Sequence, residues 1–277
     1  MLRKDIKYKT HTFLEYVYAN RSKFNLDNTK GYQVCPDNEF QQLLYNNYND
    51  ENLTKNIDFV KTIAYTNSVV NSYNTYIRNS IIKDCDKSII TKNDLITSYC
   101  TIVNQFNDVV IENSEEYIIK DVVNYVHPKY QLKGFMIRFI KIHGGEVTTP
   151  LFVIDHTDKF TIQMYVKIAQ ELINSAKTAN VRVRSQKWRD YYTFKESCLL
   201  LTNIVKHDGT IVYKRDLDYG FALTSHKSQG STFDTVFVDV HDIVYDKRNI
   251  PYVDIDNVNR RLYVACGRAK NKLYLKL

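Results

Sequence analysis

Between residues 219 and 277 the sequence alternates strand and helix signals at spacings that leave little choice of architecture. Tyr219–Thr224 is an apolar run that breaks into Ser225–Ser231, a corner of hydroxyls, a His, a Lys and a Gly, read as a turn with a short helix. Thr235–Val240 is a second β-rich run. Asn257–Lys270 carries Val258, Leu262, Ala265 and Ala269 on one helical stripe, and Lys272–Leu277 reads as a final strand. Strands that alternate with helices predict a parallel sheet with helices on its faces.

The same texture occurs near the other end. Phe59–Asn67 is a buried-strand candidate ending in polar residues, and Ser68–Ile82 places Val69, Val70, Tyr73, Ile77 and Ile81 at helical spacing. Asn71, Asn74 and Arg78 fall on another face of that helix, and Thr66 or Asn67 suits its N-cap. Residues 1–55 read as helices and loops, with apolar clusters at Phe13–Tyr18 and Glu39–Tyr48 and a short strand near Gly31–Val34.

From about Thr91 the pattern changes. Asp94–Val103, Asp108–Ile111, Tyr117–Val126, Gly134–Ile142 and Val147–Ile154 are short β-rich runs. Turn signals at Asn107-Asp108, Asn113-Ser114 and Gly144-Gly145 separate them. This predicts a small barrel over about 91–158. Helices over Phe160–Ala179 and Trp188–Val205, joined by the basic stretch Arg182–Lys187, predict an antiparallel helical hairpin. The expected organisation is therefore an α/β domain, residues 1–90 and 207–277, interrupted by an insertion at 91–206.

Composition narrows the function classes only a little. A formal charge of +7 suits a polyanion partner but also an ordinary basic enzyme. Five Cys lie far apart with no C-x-x-C pair, which argues against zinc or a disulfide framework and fits a reducing compartment. No stretch reads as a membrane span or signal peptide, so the expected location is cytoplasmic, or the host cytoplasm for a viral protein.

Two segments carry candidate chemistry. In Thr224–Gly230, hydroxyls and N–H groups after a strand are good partners for phosphate oxygens, His226 and Lys227 can add charge or stacking, and Gly230 can let backbone approach closely. Alone, the string reads equally as a solvated turn. Arg268 follows Arg261 by two helical turns and faces away from the apolar stripe, as surface arginines commonly do.

The string Thr224–Gly230, the run Val236-Phe237-Val238 and the helix Tyr263-Val264-Ala265-Cys266-Gly267-Arg268-Ala269 resemble, in order, motifs V and VI of superfamily 1 helicases. Ile63–Asn67 with Asn74 and Arg78 resembles motif IVa of the RecD/Dda-like branch, known from phage helicases. The resemblance implies a RecA-like parallel-sheet motor domain, with an SH3-like β-barrel and a helical hairpin inserted. It implies that Thr66, Asn67, Thr224, His226 and Lys227 contact single-stranded DNA. Gln229, Gly230, Thr232 and Tyr263 would couple that track to a nucleotide, and Arg268 would serve as an arginine finger. Thr232 stands where many relatives have a Glu, and Gly267 where Thr or Ser is usual.

None of the eight Gly is followed by Lys, so the sequence given contains no P-loop, and no buried run ends in paired acids for Mg²⁺. The resemblance then implies that ATP and Mg²⁺ are held mainly by a P-loop-bearing partner half, that the chain does not hydrolyse ATP by itself, and that the motif IV Arg falls before Met1. Translocation would run 5′ to 3′. The competing expectation is a non-catalytic accessory subunit or remnant that binds single strands.

Overall fold

The computed structural model describes residues 30–103, 109–141, 149–206 and 208–277. The cluster at Phe13–Tyr18, the turns at Asn107-Asp108 and Gly144-Gly145, and the start of the Val147–Ile154 run lie outside the described residues. Numbered along the chain, the first elements are β1 (Gly31–Cys35), α1 (Asp37–Tyr48), β2 (Val60–Ala64) and α2 (Asn67–Ile81). There follow β3 (Leu95–Ser98), β4 (Ile102–Val103), β5 (Val109–Ile111), β6 (Glu116–Val126), β7 (Lys133–Lys141) and β8 (Leu151–Ile154). Next come α3 (Lys159–Thr178), α4 (Val181–Ser197), β9 (Ile204–Val205), β10 (Ile211–Tyr213) and β11 (Leu217–Tyr219). The last are β12 (Ala222–Thr224), β13 (Phe233–Asp239), α5 (Val240–Val244), α6 (Ile255–Cys266) and β14 (Ala269–Lys276).

The chain divides into two compact units, residues 1–81 with 221–277, and residues 82–220. The sequence places the corresponding boundaries at 90/91 and 206/207. Leu217–Tyr219, expected in the α/β unit, pairs antiparallel with β3, and this cross-strand pairing assigns the segment to the second unit.

In the first unit, among the described residues, five strands form a wholly parallel sheet in the order β1-β14-β13-β2-β12. Every residue of β2 is buried, because helices cover both of its faces. One core cluster joins Ile63, Val236, Val238, Leu273 and Leu275 of the sheet to Val258, Leu262 and Ala265 of α6. Asn74 and Arg78 do not sit on a separate polar face of α2; both are buried with Val70 and Ile77. Asn74 is only 1% exposed. Its Nδ2 donates to the Ala222 carbonyl at 3.3 Å, and its Oδ1 accepts from the Ala222 N–H at 2.7 Å. Ala222 lies on the edge strand, so one amide side chain stands in for a neighbouring strand that the edge lacks.

In the second unit, among the described residues, five strands pair antiparallel in the order β11-β3-β6-β7-β8, and β4-β5 and β9-β10 form two-stranded ribbons. A Cβ at Gly134 would collide with the Val153 carbonyl oxygen, so β7 and β8 approach this closely only with Gly there. Helices α3 and α4 bury Tyr165, Ala169 and Phe194 with Phe152, Ile154 and Tyr213. The basic stretch Arg182–Lys187, expected as their connector, is helical. The Asn180 side chain accepts from the N–H groups of Arg182 and Val183 and starts α4 there. The helix then stops at Ser197, and Val205, expected at its end, lies in β9.

Candidate functional site

Parallel strands give the first sheet two chemically different edges. At the carboxyl ends of β2, β12 and β13 lie Thr66, Thr224 and α5 with Asp242. At the amino ends of β13 and β14 lie Thr232 and Arg268. Ligands of open α/β sheets commonly bind beyond the carboxyl ends.

The segment from Ser225 to Thr232 runs from one edge to the other. It is a succession of turns rather than the expected turn with a short helix. Ser228 N–H donates to the Thr224 carbonyl at 3.0 Å, Gln229 N–H to His226 at 3.3 Å and Ser231 N–H to Ser228 at 3.2 Å. Lys227 N–H bonds Thr224 Oγ1 at 3.2 Å and Ser228 Oγ donates to the Ser225 carbonyl at 2.9 Å, so the hydroxyls hold the corner shut. Gly230 ends it with φ +96°, and the space around its Cα is open. Its glycine is required by backbone conformation, whereas the sequence suggested close approach.

Thr66 caps α2: its Oγ1 accepts from Val69 N–H at 3.4 Å and donates to Asp242 Oδ1 at 2.7 Å. Asp242 Oδ2 also accepts from the N–H groups of Tyr65 and Thr66 at 2.7 and 2.8 Å. The Thr66 hydroxyl therefore points its proton inward, and Asn67 and His226 are the exposed side chains of this edge. The His226 and Tyr65 rings stand 5.9 Å apart. Lys227 is half-buried.

Arg268 does not lie on the helix, which ends at Cys266. Gly267, a poor helix former, follows, and pairing of Phe233 with Ala269 then captures the chain into β14. Arg268 occupies the turn between them. Its Nε donates to the Val264 carbonyl at 3.0 Å and its Nη1 to the Ser231 carbonyl at 3.1 Å. Its own carbonyl accepts from Phe233 N–H at 2.9 Å. Gln229, Gly230 and Thr232 are exposed beside this turn. Tyr263, on α6, is 38% exposed.

A cavity of about 690 Å³ separates the corner from α6. Ser225, His226 and Gln229 line one side, and Asn259, Arg261 and Tyr263 the other. Of these, Asn259 and Arg261 carry no signal in the sequence beyond their helical phase. Among the described residues, no group of three or more His, Cys, Asp or Glu lies together to hold a metal ion. No helix among them is long and apolar enough to cross a membrane.

Residues 219–276 match the family model of the UvrD-like helicase C-terminal domain. Uncharacterized protein R530 of Acanthamoeba polyphaga mimivirus is 24% identical over 266 residues, which cover 82% of this chain and 51% of that protein. The chain thus spans about half the length of that relative. Among solved structures, Pif1 helicase from Candida albicans is similar with a TM-score of 0.42 and 14% identity, covering 87% of this chain and 49% of that one. Pif1 helicase from Bacteroides, in complex with ADP-AlF3 and ssDNA, gives a TM-score of 0.38 and 12% identity, over 94% of this chain and 48% of that one.

Proposed function

We propose that this chain supplies the second motor domain of an ATP-dependent superfamily 1 DNA helicase of the RecD/Dda-like branch, moving 5′ to 3′. Residues 82–220 would be its SH3-like insertion and helical pair. One observation carries this reading beside the family match at 219–276. The corner leaves β12 at Thr224 on the carboxyl edge and rejoins the sheet beside Arg268, which bonds Ser231, on the amino edge. One short segment thereby touches both functional edges.

On this reading Asn67, Thr224, His226 and Lys227 hold the phosphates of a single strand, with Thr66 setting the backbone of the track. Gln229, Gly230 and Thr232 face the nucleotide. The Arg268 guanidinium, already held by two carbonyls, would stabilise charge on the γ-phosphate of ATP. The open space around Gly230 fits the approach of a phosphate to this edge. ATP and Mg²⁺ would be held mainly by a P-loop domain, either elsewhere in a longer protein or on another chain.

The test is ATP turnover with single-stranded DNA, for this chain alone and mixed with a P-loop domain from the adjoining reading frame. Turnover is expected only in the mixture. Arg268→Ala should lower it by about 10³-fold or more, with oligonucleotide affinity nearly unchanged. Comparable loss of both would refute the finger assignment.

The two carbonyl bonds of Arg268 also suit an internal tie. This favours a second reading, a single-strand-binding module without catalysis. It predicts that Arg268→Ala lowers the melting temperature and that no mixture turns over ATP.

A further inference from the structure

The cavity between the corner and α6 contains a set of donors that none of the described residues engages. Arg261 is 9% exposed, Asn259 8% and Ser225 1%. The Arg261 Nε and Nη1, the Asn259 Nδ2 and the Ser225 Oγ are buried without hydrogen-bond partners. All three residues line the same cavity. The Arg261 guanidinium carbon lies 3.6 Å from the Tyr65 ring centroid and 5.3 Å from that of Tyr252. These contacts hold the guanidinium against the rings and leave its Nε and Nη1 for another partner. Asp242, which holds the neighbouring Tyr65 and Thr66 N–H groups, is already engaged by three donors.

A buried cation without a counter-ion is costly, and the cost falls only when an anion with matching acceptors arrives. The unused groups here comprise a guanidinium, an amide N–H and a hydroxyl, so the ligand must be rich in acceptors. A carboxylate offers two oxygens in one plane, whereas a phosphate offers them tetrahedrally to donors converging from two elements. The exposed Arg260 and Asp256 on the rim carry opposite charges, so the selectivity lies in the deeper donors.

We infer that this cavity is a phosphate-binding site, with Arg261 as its cation and Asn259 and Ser225 as neutral donors. The phosphate is one group of the bound strand or that of a free nucleotide. The strand source rests on the reading under Proposed function, because His226 belongs both to the cavity and to that edge.

The experiment follows the Arg261 Nε–H resonance in the full chain, identified as the signal that disappears in Arg261→Lys. Inorganic phosphate, ADP and a twelve-nucleotide oligothymidylate are titrated separately. Inorganic phosphate should move the signal; if none of the three does, the inference is overturned. For a strand phosphate, the oligonucleotide moves it too, and Arg261→Gln weakens oligonucleotide binding about ten-fold. The slope of log affinity against log salt should then shrink by about 0.7. A signal moved by phosphate and ADP alone assigns the site to a free nucleotide. Binding of the oligonucleotide with unchanged affinity and slope in Arg261→Gln overturns the strand source while leaving the helicase reading intact. A wild-type chain that ignores the oligonucleotide but answers to phosphate does the reverse. Asn259→Asp, nearly isosteric, guards against misfolding of the arginine variant. Its carboxylate would occupy the Arg261 donors, so inorganic phosphate should bind at least about ten-fold more weakly, and unaltered binding in a folded Asn259→Asp protein overturns the site.

Discussion

Asp242 shows how one side chain can fix an edge of the sheet. Its carboxylate accepts from Tyr65 N–H, Thr66 N–H and Thr66 Oγ1, at 2.7, 2.8 and 2.7 Å, and so sets the path of the chain where β2 becomes α2. Hydrogen bonds to a charged acceptor contribute about 1.5–3 kcal/mol each, and an amide in its place turns an N–H toward donors. Asp242→Asn is expected to cost about 3 kcal/mol in urea unfolding. A change under about 0.5 kcal/mol would show that the corner holds without the charge. The role of Thr66 as a cap was legible, because hydroxyls before a helical pattern commonly cap it. Asp242 was not legible, since its partners lie over 170 residues away and no local pattern announces it. Arg261 was passed over for the same reason: its rings come from Tyr65 and Tyr252, on other segments. Burial also pushes the Cys35, Cys198 and Cys266 thiols up to about 12, so they stay protonated near neutrality. At pH 8, iodoacetamide should label the half-buried Cys85 and Cys100 first, as peptide mass mapping would show.

At the scale of elements, the edge strand β12 depends on a helix. Asn74 satisfies both main-chain groups of Ala222 from α2. Asn74→Ala strands a buried donor and a buried acceptor, each costing about 1–3 kcal/mol. A loss of about 2–4 kcal/mol is expected by chemical denaturation, against nearly none for the exposed Thr75→Ala. Equal effects would mean that the edge does not need the amide. The strands of the parallel sheet were readable from their apolar runs, and α2 and α6 from their periodicity, whereas β9 and β10 were not. What misled was the ends. Lys270 was expected inside a helix that stops at Cys266, because the pull of β13 on Ala269 is a tertiary effect that propensity does not contain. Val181–Lys187 lacks an apolar period, so the cap at Asn180 outweighed the pattern. The corner at 225–230 was expected to hold a short helix, but its Ser228 side chain bonds back to the main chain and it ends in a left-handed Gly230.

At the scale of the whole molecule, the net charge of +7 sets a general attraction for polyanions, while individual groups set the pH response. Burial holds His156 and His127 below the ordinary histidine value of 6.5, and Lys129 adds to the effect on His127. The folded state therefore binds fewer protons than the unfolded chain just below pH 6.5, and stability falls as pH drops through that window. Asp216 works in the opposite sense, since burial raises its carboxyl pKa and protonation on acidification relieves the fold. The histidine contribution is isolated by difference. His156→Gln should lose less melting temperature than wild type between pH 7.5 and 5.5, and parallel losses would remove His156 from the account. The long corner between β12 and β13 has a mechanical consequence. Its start is pinned by Ser225 N–H on the Ala64 carbonyl, its middle by the buried Ser228, and its end by Arg268 on the Ser231 carbonyl. So fastened at three points, the corner ties one edge of the sheet to the other. Two extra glycines after Gly230 would leave the chemistry of both ends intact and let one turn without the other.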